Sequence, residues 1–229
     1  MSFELRIPPC PIRDKYILQD TRRALEMYKS MHLNGINWDI FVGGARIRQY
    51  RAKFLKAFMW LRKPHYTVEL GSGASTQLFA SMVGASHTAF DHLEKYWRRT
   101  TCSLTTLGLT KGRVLLRPLQ SQCFLEGSAY GKYMYEIQPV HDLPPRIDLL
   151  FIDGPPYHPL VEGKPKYSRV ATLPFFMPYL ADNAIVLMDS TEREPEQECL
   201  RIWADELGVT FENPEPMKGL AVIDPWGRG

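Results

Sequence analysis

VTFENPEPMKGLAVI, residues 209–223, holds two short apolar segments, 209–212 and 220–223, with Asn213, Pro214, Glu215, Pro216, Met217, Lys218 and Gly219 between them. The flanking segments have the β-branched and aromatic content of strands, and the prolines and glycine between them are turn formers. Parallel neighbours would need a crossover of a dozen or more residues, usually a helix. Too few residues lie between these two, so they pair antiparallel.

Upstream the pattern changes. Working back along the chain, apolar segments at 184–188, 147–152, 114–117, 87–90 and 67–70 alternate with stretches of helical character. Most are continuous apolar runs rather than alternating ones, as expected of parallel strands covered by helices on both faces. The reading is an α/β fold: a Rossmann-like, doubly wound, mostly parallel seven-stranded sheet that ends in a C-terminal antiparallel hairpin. Two further helices, over 14–32 and 45–62, precede the first strand. Tyr50, Phe54, Leu55, Phe58 and Leu61 give the second its apolar face, and Pro64 stops it. The expected organisation is a single domain, 1–229, with an N-terminal helical cap (1–63) on a cofactor-binding core (64–229).

At 229 residues the chain has room for a substantial core, and no apolar run approaches a membrane span. Met1-Ser2-Phe3-Glu4-Leu5-Arg6 lacks the pattern of a signal peptide. Cys10, Cys102, Cys123 and Cys199 show neither metal-type nor redox-type spacing, so reduced thiols in a cytoplasm are expected. Charge is uneven: residues 1–68 carry 13 Lys/Arg against 5 Asp/Glu, and the remainder 15 against 20. The basic run Arg46, Arg48, Arg51, Lys53, Lys56, Arg62 and Lys63 would suit an anionic partner. A solvated helix face is the simpler reading.

Thr67-Val-Glu-Leu-Gly-Ser-Gly-Ala-Ser-Thr76 reads as a strand, a glycine turn and a helix start. Gly71 and Gly73 permit a tight turn and close approach of a ligand, and Ser75 and Thr76 suit the helix entry. A dinucleotide fingerprint would place a third glycine where Thr76 stands. Glu69, just before the turn, would repel a pyrophosphate and suits a cationic ligand. Asp91 ends the next strand, 20 positions after Gly71, where such folds place an acid for the ribose hydroxyls. A nucleoside bearing a positive group and no phosphate fits both acids, and S-adenosylmethionine is one.

Glu69-Leu-Gly-Ser-Gly-Ala-Ser-Thr76, Phe90-Asp-His-Leu-Glu-Lys-Tyr-Trp97 and Asp148-Leu-Leu-Phe-Ile-Asp-Gly-Pro-Pro156 resemble class I S-adenosylmethionine-dependent methyltransferases. The resemblance is to a loosely characterised group, related to small-molecule O-methyltransferases, with an Asp-Gly-Pro-Pro…Arg…Leu-Pro pattern. Ser168-Arg-Val-Ala-Thr-Leu-Pro174, Leu187-Met-Asp-Ser-Thr-Glu-Arg193 and Lys218-Gly-Leu-Ala-Val-Ile223 continue it, over roughly 64–224. It implies that Glu69, Gly71, Gly73 and Asp91 hold the cofactor, with Ser72, Ser75, Thr76, His92 and Asp153 beside them.

Asp153, in Phe-Ile-Asp-Gly-Pro-Pro-Tyr157, ends its strand where ligands of open parallel sheets bind. Gly154 shifts the prolines and Tyr157 by one position from the motif that amine-methylating enzymes use for bases, so base methylation is not the reading. Metal-dependent O-methyltransferases of the catechol type carry an acid after the fourth strand and an Asp-Asn pair after the fifth. Here the corresponding residues are Asp153 and Asp189-Ser190, a weaker oxygen set for Mg2+ or Ca2+. Without metal, Asp153 or Asp189 would orient a hydroxyl, or His158 would be the general base. His158 reads equally as a solvent-exposed imidazole.

The long connection from Gly154 to Arg169 reads as a lid. Tyr157, Arg169 and Arg193 are expected at the acceptor, although Arg193 would also pair with Glu192, Glu194 or Glu196. Tyr130, Tyr133 and Tyr135 would line the pocket or, more simply, pack on the sheet edge. The expected activity is methyl transfer to an oxygen, less often a nitrogen, of a small-molecule or glycan acceptor. Three rivals stay open: a nucleic-acid methyltransferase using the basic helices, a non-catalytic cofactor-binding module and an NAD enzyme. A homodimer is compatible with the sequence.

Overall fold

The computed structural model describes residues 16–32, 49–82, 84–121, 133–156, 169–214, 217 and 219–227. Helices α1 (Tyr16–Met27) and α2 (Gln49–Arg62) lead into strand β1 (Tyr66–Leu70), helix α3 (Ala74–Ala80), strand β2 (Ser86–Asp91), helix α4 (Glu94–Thr106) and strand β3 (Gly112–Leu116). A small hairpin follows, β4 (Leu119–Ser121) with β5 (Tyr133–Tyr135), then helix α5 (Pro139–Asp142) and strand β6 (Ile147–Ile152). Helix α6 (Thr172–Phe176), strand β7 (Leu180–Asp189), helix α7 (Glu194–Leu207) and strands β8 (Thr210–Glu212) and β9 (Leu220–Asp224) complete the chain.

The main sheet has seven strands in the order β3-β2-β1-β6-β7-β9-β8. The first five are parallel; β9 runs antiparallel to both β7 and β8, as the short 213–219 connection dictates. The chain winds outward from β1 to β3, then restarts at β6 on the other side. This reversal opens a crevice between β1 and β6 at the carboxyl ends of the strands. The β4–β5 hairpin was not legible in the sequence, and β7 starts earlier than the 184–188 segment.

Strand residues alternate between two apolar layers, which explains their continuous hydrophobicity. Leu150 and Ile152 face the layer with Phe176, Leu200 and Trp203, while Leu149 and Phe151 face the layer with Phe54, Leu55, Phe58 and Phe79. Trp203 also donates its indole N–H to the Val170 carbonyl at 2.8 Å, so its one polar atom is satisfied inside the core. Helix α2 thus packs its apolar residues into the core and supplies part of a layer. Phe58 is fully buried and lies 5.8 Å, ring to ring, from Phe54. Phe58→Leu is expected to lower stability by about 1–2 kcal/mol. Urea unfolding should show one shifted transition; an unchanged midpoint would mean that α2 is dispensable to the core.

Candidate active site

Parallel register lines up four strand ends. Leu70 sits opposite both Phe90 and Ile152, and Ile152 opposite Met188. The next residue on each strand is therefore level with the others: Gly71, Asp91, Asp153 and Asp189 form a row along the crevice. The backbone ties the row together, with Gly71 N–H donating to the Phe90 carbonyl (2.8 Å) and Asp153 N–H to the Leu70 carbonyl (3.0 Å).

At the β1 end, Gly71 has φ +100°, a backbone state that favours glycine. Asp91 is 4% exposed and accepts hydrogen bonds from Ser72 Oγ (2.6 Å) and from Leu93 N–H (2.9 Å). Burial raises its pKa, and the Ser72 hydroxyl partly offsets that. His92 Nδ1 stands 3.9 Å from Asp91.

Glu69 differs from expectation. It is 1% exposed, beneath the turn rather than in the crevice. Its carboxylate accepts hydrogen bonds from Ser75 Oγ and from Thr76 Oγ1 (2.6 Å), while His87 Nε2 lies 3.1 Å away. Thr76 Oγ1 in turn accepts from Gly73 N–H at 2.9 Å. Thr67 Oγ1 is 2.7 Å from His87 Nδ1, which completes a buried chain. Ser75 and Thr76 therefore brace the turn from below through Glu69.

Gly154 has a steric reason. A Cβ there would overlap the Tyr135 hydroxyl and lie 3.3 Å from Gly71 N. Tyr135, from β5, is 1% exposed, and its ring packs 6.1 Å from His92 and 6.4 Å from Phe90. Desolvation, with the charge of Asp91 next, raises its phenol well above the usual tyrosine range. Tyr135 therefore stays neutral at the floor of the crevice, between the Asp91 end and the Asp153 end.

Asp153 keeps 43% of its side chain open to the crevice. Desolvation, and then the nearby Asp189 charge, push its pKa up to about 8 against the pull of Arg169. Asp189, whose side chain is 12% exposed, is also raised by burial, but Arg51 Nη1 pairs with it at 2.5 Å and opposes the shift. Ser190 follows it with φ +66°, an uncommon conformation for a non-glycine residue and one that clusters at functional sites.

Arg169, expected at the acceptor, is 2% exposed and lies behind the strand ends. Its guanidinium donates to the carbonyls of Asp189 (2.7 Å), Asp153 (2.8 Å) and Pro155 (3.3 Å). Glu196, 2% exposed, lies 3.7 Å from Arg169 Nε and 3.9 Å from Arg193 Nη1. Arg193, 56% exposed, is therefore placed on Glu196 at the rim. Tyr157, His158 and the 157–168 connection lie outside the described residues, as do Arg46, Arg48, Tyr130 and Cys123. Of the basic run, Arg51 is committed to Asp189, and Arg62 to Asp20 (3.0 Å) and the Asn183 carbonyl (2.6 Å).

The two carboxylates named for Mg2+ or Ca2+ do not fit that ion. Asp189 is already paired with a guanidinium, Arg169 stands 3.7 Å from Asp153, and no group of three His, Cys, Asp or Glu suited to a metal occurs among the described residues. A separate cavity of about 580 Å3, lined by His65, Tyr66, Ser86, Lys111, Arg146 and Asn183, opens where the strands begin. That is the opposite end from the one at which open parallel sheets bind ligands. Among the described residues no helix is long and apolar enough to cross a membrane.

No protein-family model matches the chain, and no curated protein matches it in sequence. Solved structures match its shape. An O-methyltransferase from Bacillus cereus, in complex with SAH, aligns over 96% of this chain and 93% of its own with TM-score 0.54 and 13% identity. This chain has the fold of those enzymes. A methyltransferase from Pyrococcus furiosus aligns over 90% and 96% of the two chains with TM-score 0.55 and 14% identity. The O-methyltransferase TomG from Streptomyces achromogenes, in complex with SAM, aligns over 93% and 91% with TM-score 0.54 and 13% identity.

Proposed function

We propose that the chain is an S-adenosylmethionine-dependent methyltransferase that acts on an oxygen, less often a nitrogen, of a small-molecule or glycan acceptor. The observation that carries the reading is the row Gly71, Asp91, Asp153 at the switch point of the sheet. Similar folds crystallised with SAH and SAM support it.

The residues suit that cofactor. Asp91, held by Ser72 and Leu93, presents a buried acceptor for the two ribose hydroxyls, and Gly71 to Gly73 let the ligand lie against the backbone. No basic side chain from the turn offers to meet a pyrophosphate, and Glu69 beneath it disfavours one.

S-adenosylmethionine supplies an electrophilic methyl group on a sulfonium, and leaves as the neutral thioether. The chain has then to align the acceptor, exclude water and take a proton. Asp153 is placed for the proton: its open face meets the crevice, and its raised pKa makes it a stronger base than an ordinary carboxylate. With the cofactor bound, the Asp153 carboxylate would take the proton that the acceptor loses on methylation. Asp189, paired with Arg51, shapes the neighbouring wall.

Calorimetric titration with S-adenosylmethionine, S-adenosylhomocysteine and NAD tests the cofactor end. The first two should bind and NAD should not. Asp91→Ala is expected to weaken binding by about 2 kcal/mol, roughly thirtyfold, through loss of charge-assisted hydrogen bonds. Unchanged affinity in this variant would remove Asp91 from the site. Phenols, sugars and carboxylates are then screened as acceptors.

A further inference from the structure

The geometry points to Arg51 as a built-in cation: its guanidinium occupies, on Asp189, the position that a divalent metal would otherwise take. This deepens the methyltransfer reading by making the acceptor site independent of metal. Arg51 comes from α2, 138 positions away in the chain from Asp189, and is 5% exposed. Its Nη1 lies 2.5 Å from Asp189 Oδ1 and its Nη2 3.8 Å from Glu192 Oε2.

The niche is built around that side chain. Ser190, at φ +66°, turns the chain at the end of β7, and Thr191 N–H then bonds the Gly219 carbonyl at 3.1 Å. Gly219, at φ +78°, closes the other wall: a Cβ there would overlap the Glu192 carboxylate and lie 2.5 Å from Arg51 Nη2. Two distant segments, the end of β7 and the turn before β9, thus converge on a guanidinium from α2. Burying two charges costs desolvation that their attraction repays only in good geometry, so the pair adds little net stability and its effect here is to place the Asp189 carboxylate. It holds that carboxylate fixed beside Asp153. Arg51 is a positioning residue that acts through Asp189.

A divalent ion on Asp189 would stand beside the Arg51 guanidinium, and repulsion between the two cations opposes its binding there. Removing Arg51 should therefore create a metal site. Mn2+ titration, followed by paramagnetic resonance and calorimetry, compares the intact chain with Arg51→Gln, Arg51→Lys and the double variant Arg51→Gln/Asp189→Asn. Arg51→Gln should bind Mn2+ at least about tenfold more tightly than the intact chain, since anionic oxygen ligands set such affinities. Arg51→Lys, which keeps a cation, should resemble the intact chain, and the double variant should lose the gain. Mn2+ binding by the intact chain that disappears in Asp189→Asn would overturn the proposal, as would no gain in a folded Arg51→Gln. Should Arg51→Gln fail to fold, the intact chain against Asp189→Asn still decides. Titration of the same preparations with S-adenosylhomocysteine keeps failure of the methyltransfer reading separate from failure of this one.

Discussion

Arg169→Ala is expected to destabilise the protein by about 4 kcal/mol, a large share of the total stability of a typical domain. The loss comes from what the guanidinium leaves behind. Two carbonyls at 2.7 and 2.8 Å, those of Asp189 and Asp153, lose a charged donor in a site closed to water, and the Pro155 carbonyl at 3.3 Å loses a longer one. Hydrogen bonds to charged groups are worth about 1.5–3 kcal/mol each, and an acceptor left buried without a partner carries its own desolvation penalty. Glu196 and the carboxyl of Asp153 also lose the cation at 3.7 Å. Thermal unfolding should show a drop of about 10 °C for a chain of this size. Arg169→Lys retains the charge but not the fork that reaches several carbonyls, so it should fall between the two. Were Arg169→Ala to unfold at the same temperature and lose only acceptor affinity, Arg169 would belong to the substrate surface after all.

That distinction was not available from the sequence. Arg169 in Ser-Arg-Val-Ala-Thr reads like any arginine near an active site, and nothing local says that its donors are consumed by three carbonyls, one at the end of β7 and two just beyond β6. Glu69 misled in the same way: its position before the glycine turn is legible, but its burial depends on Ser75, Thr76 and His87 converging from below. The mostly parallel sheet and its antiparallel ending were legible because they rest on continuous apolar runs and on connection length, whereas the order of the strands was read only in the fold. The row Gly71, Asp91, Asp153 and Asp189 was legible because parallel register carries equivalent strand ends to one edge. Gly154 could be seen to displace a motif, yet its cause, the Tyr135 hydroxyl, comes from a hairpin with only three residues per strand. Arg51 did leave a signal. It lies at helical spacing with Phe54, Leu55 and Phe58, on the apolar face of α2, and a charge on such a face asks for a buried partner.

Replacing Asp153 with asparagine is expected to slow methyl transfer by about 10²–10⁴-fold, the usual contribution of a general base, while leaving S-adenosylhomocysteine affinity unchanged. The pH dependence identifies the group. With saturating cofactor and a hydroxyl acceptor from the screen, the intact chain's rate should rise with pH as the Asp153 carboxyl ionises near 8, and then level. Asp153→Asn should lose that limb.

Stability should move the other way. In the unfolded chain the carboxyl titrates near its ordinary value of 3.8, whereas in the fold it holds its proton to about 8. Between those values the folded state binds the extra proton, so stability falls as pH rises and the penalty is complete only above the folded pKa. Asparagine has no proton to lose. The variant should therefore melt higher than the intact chain at pH 9, and the gap should close toward pH 4. Water at the open face of Asp153 screens part of the charge, so the gap stays well short of the full linkage value. A variant that gains alkaline stability as it loses turnover would mark Asp153 as a group held against its own preference for the sake of the chemistry. One that keeps the rising limb of the rate profile would place the base elsewhere in the crevice.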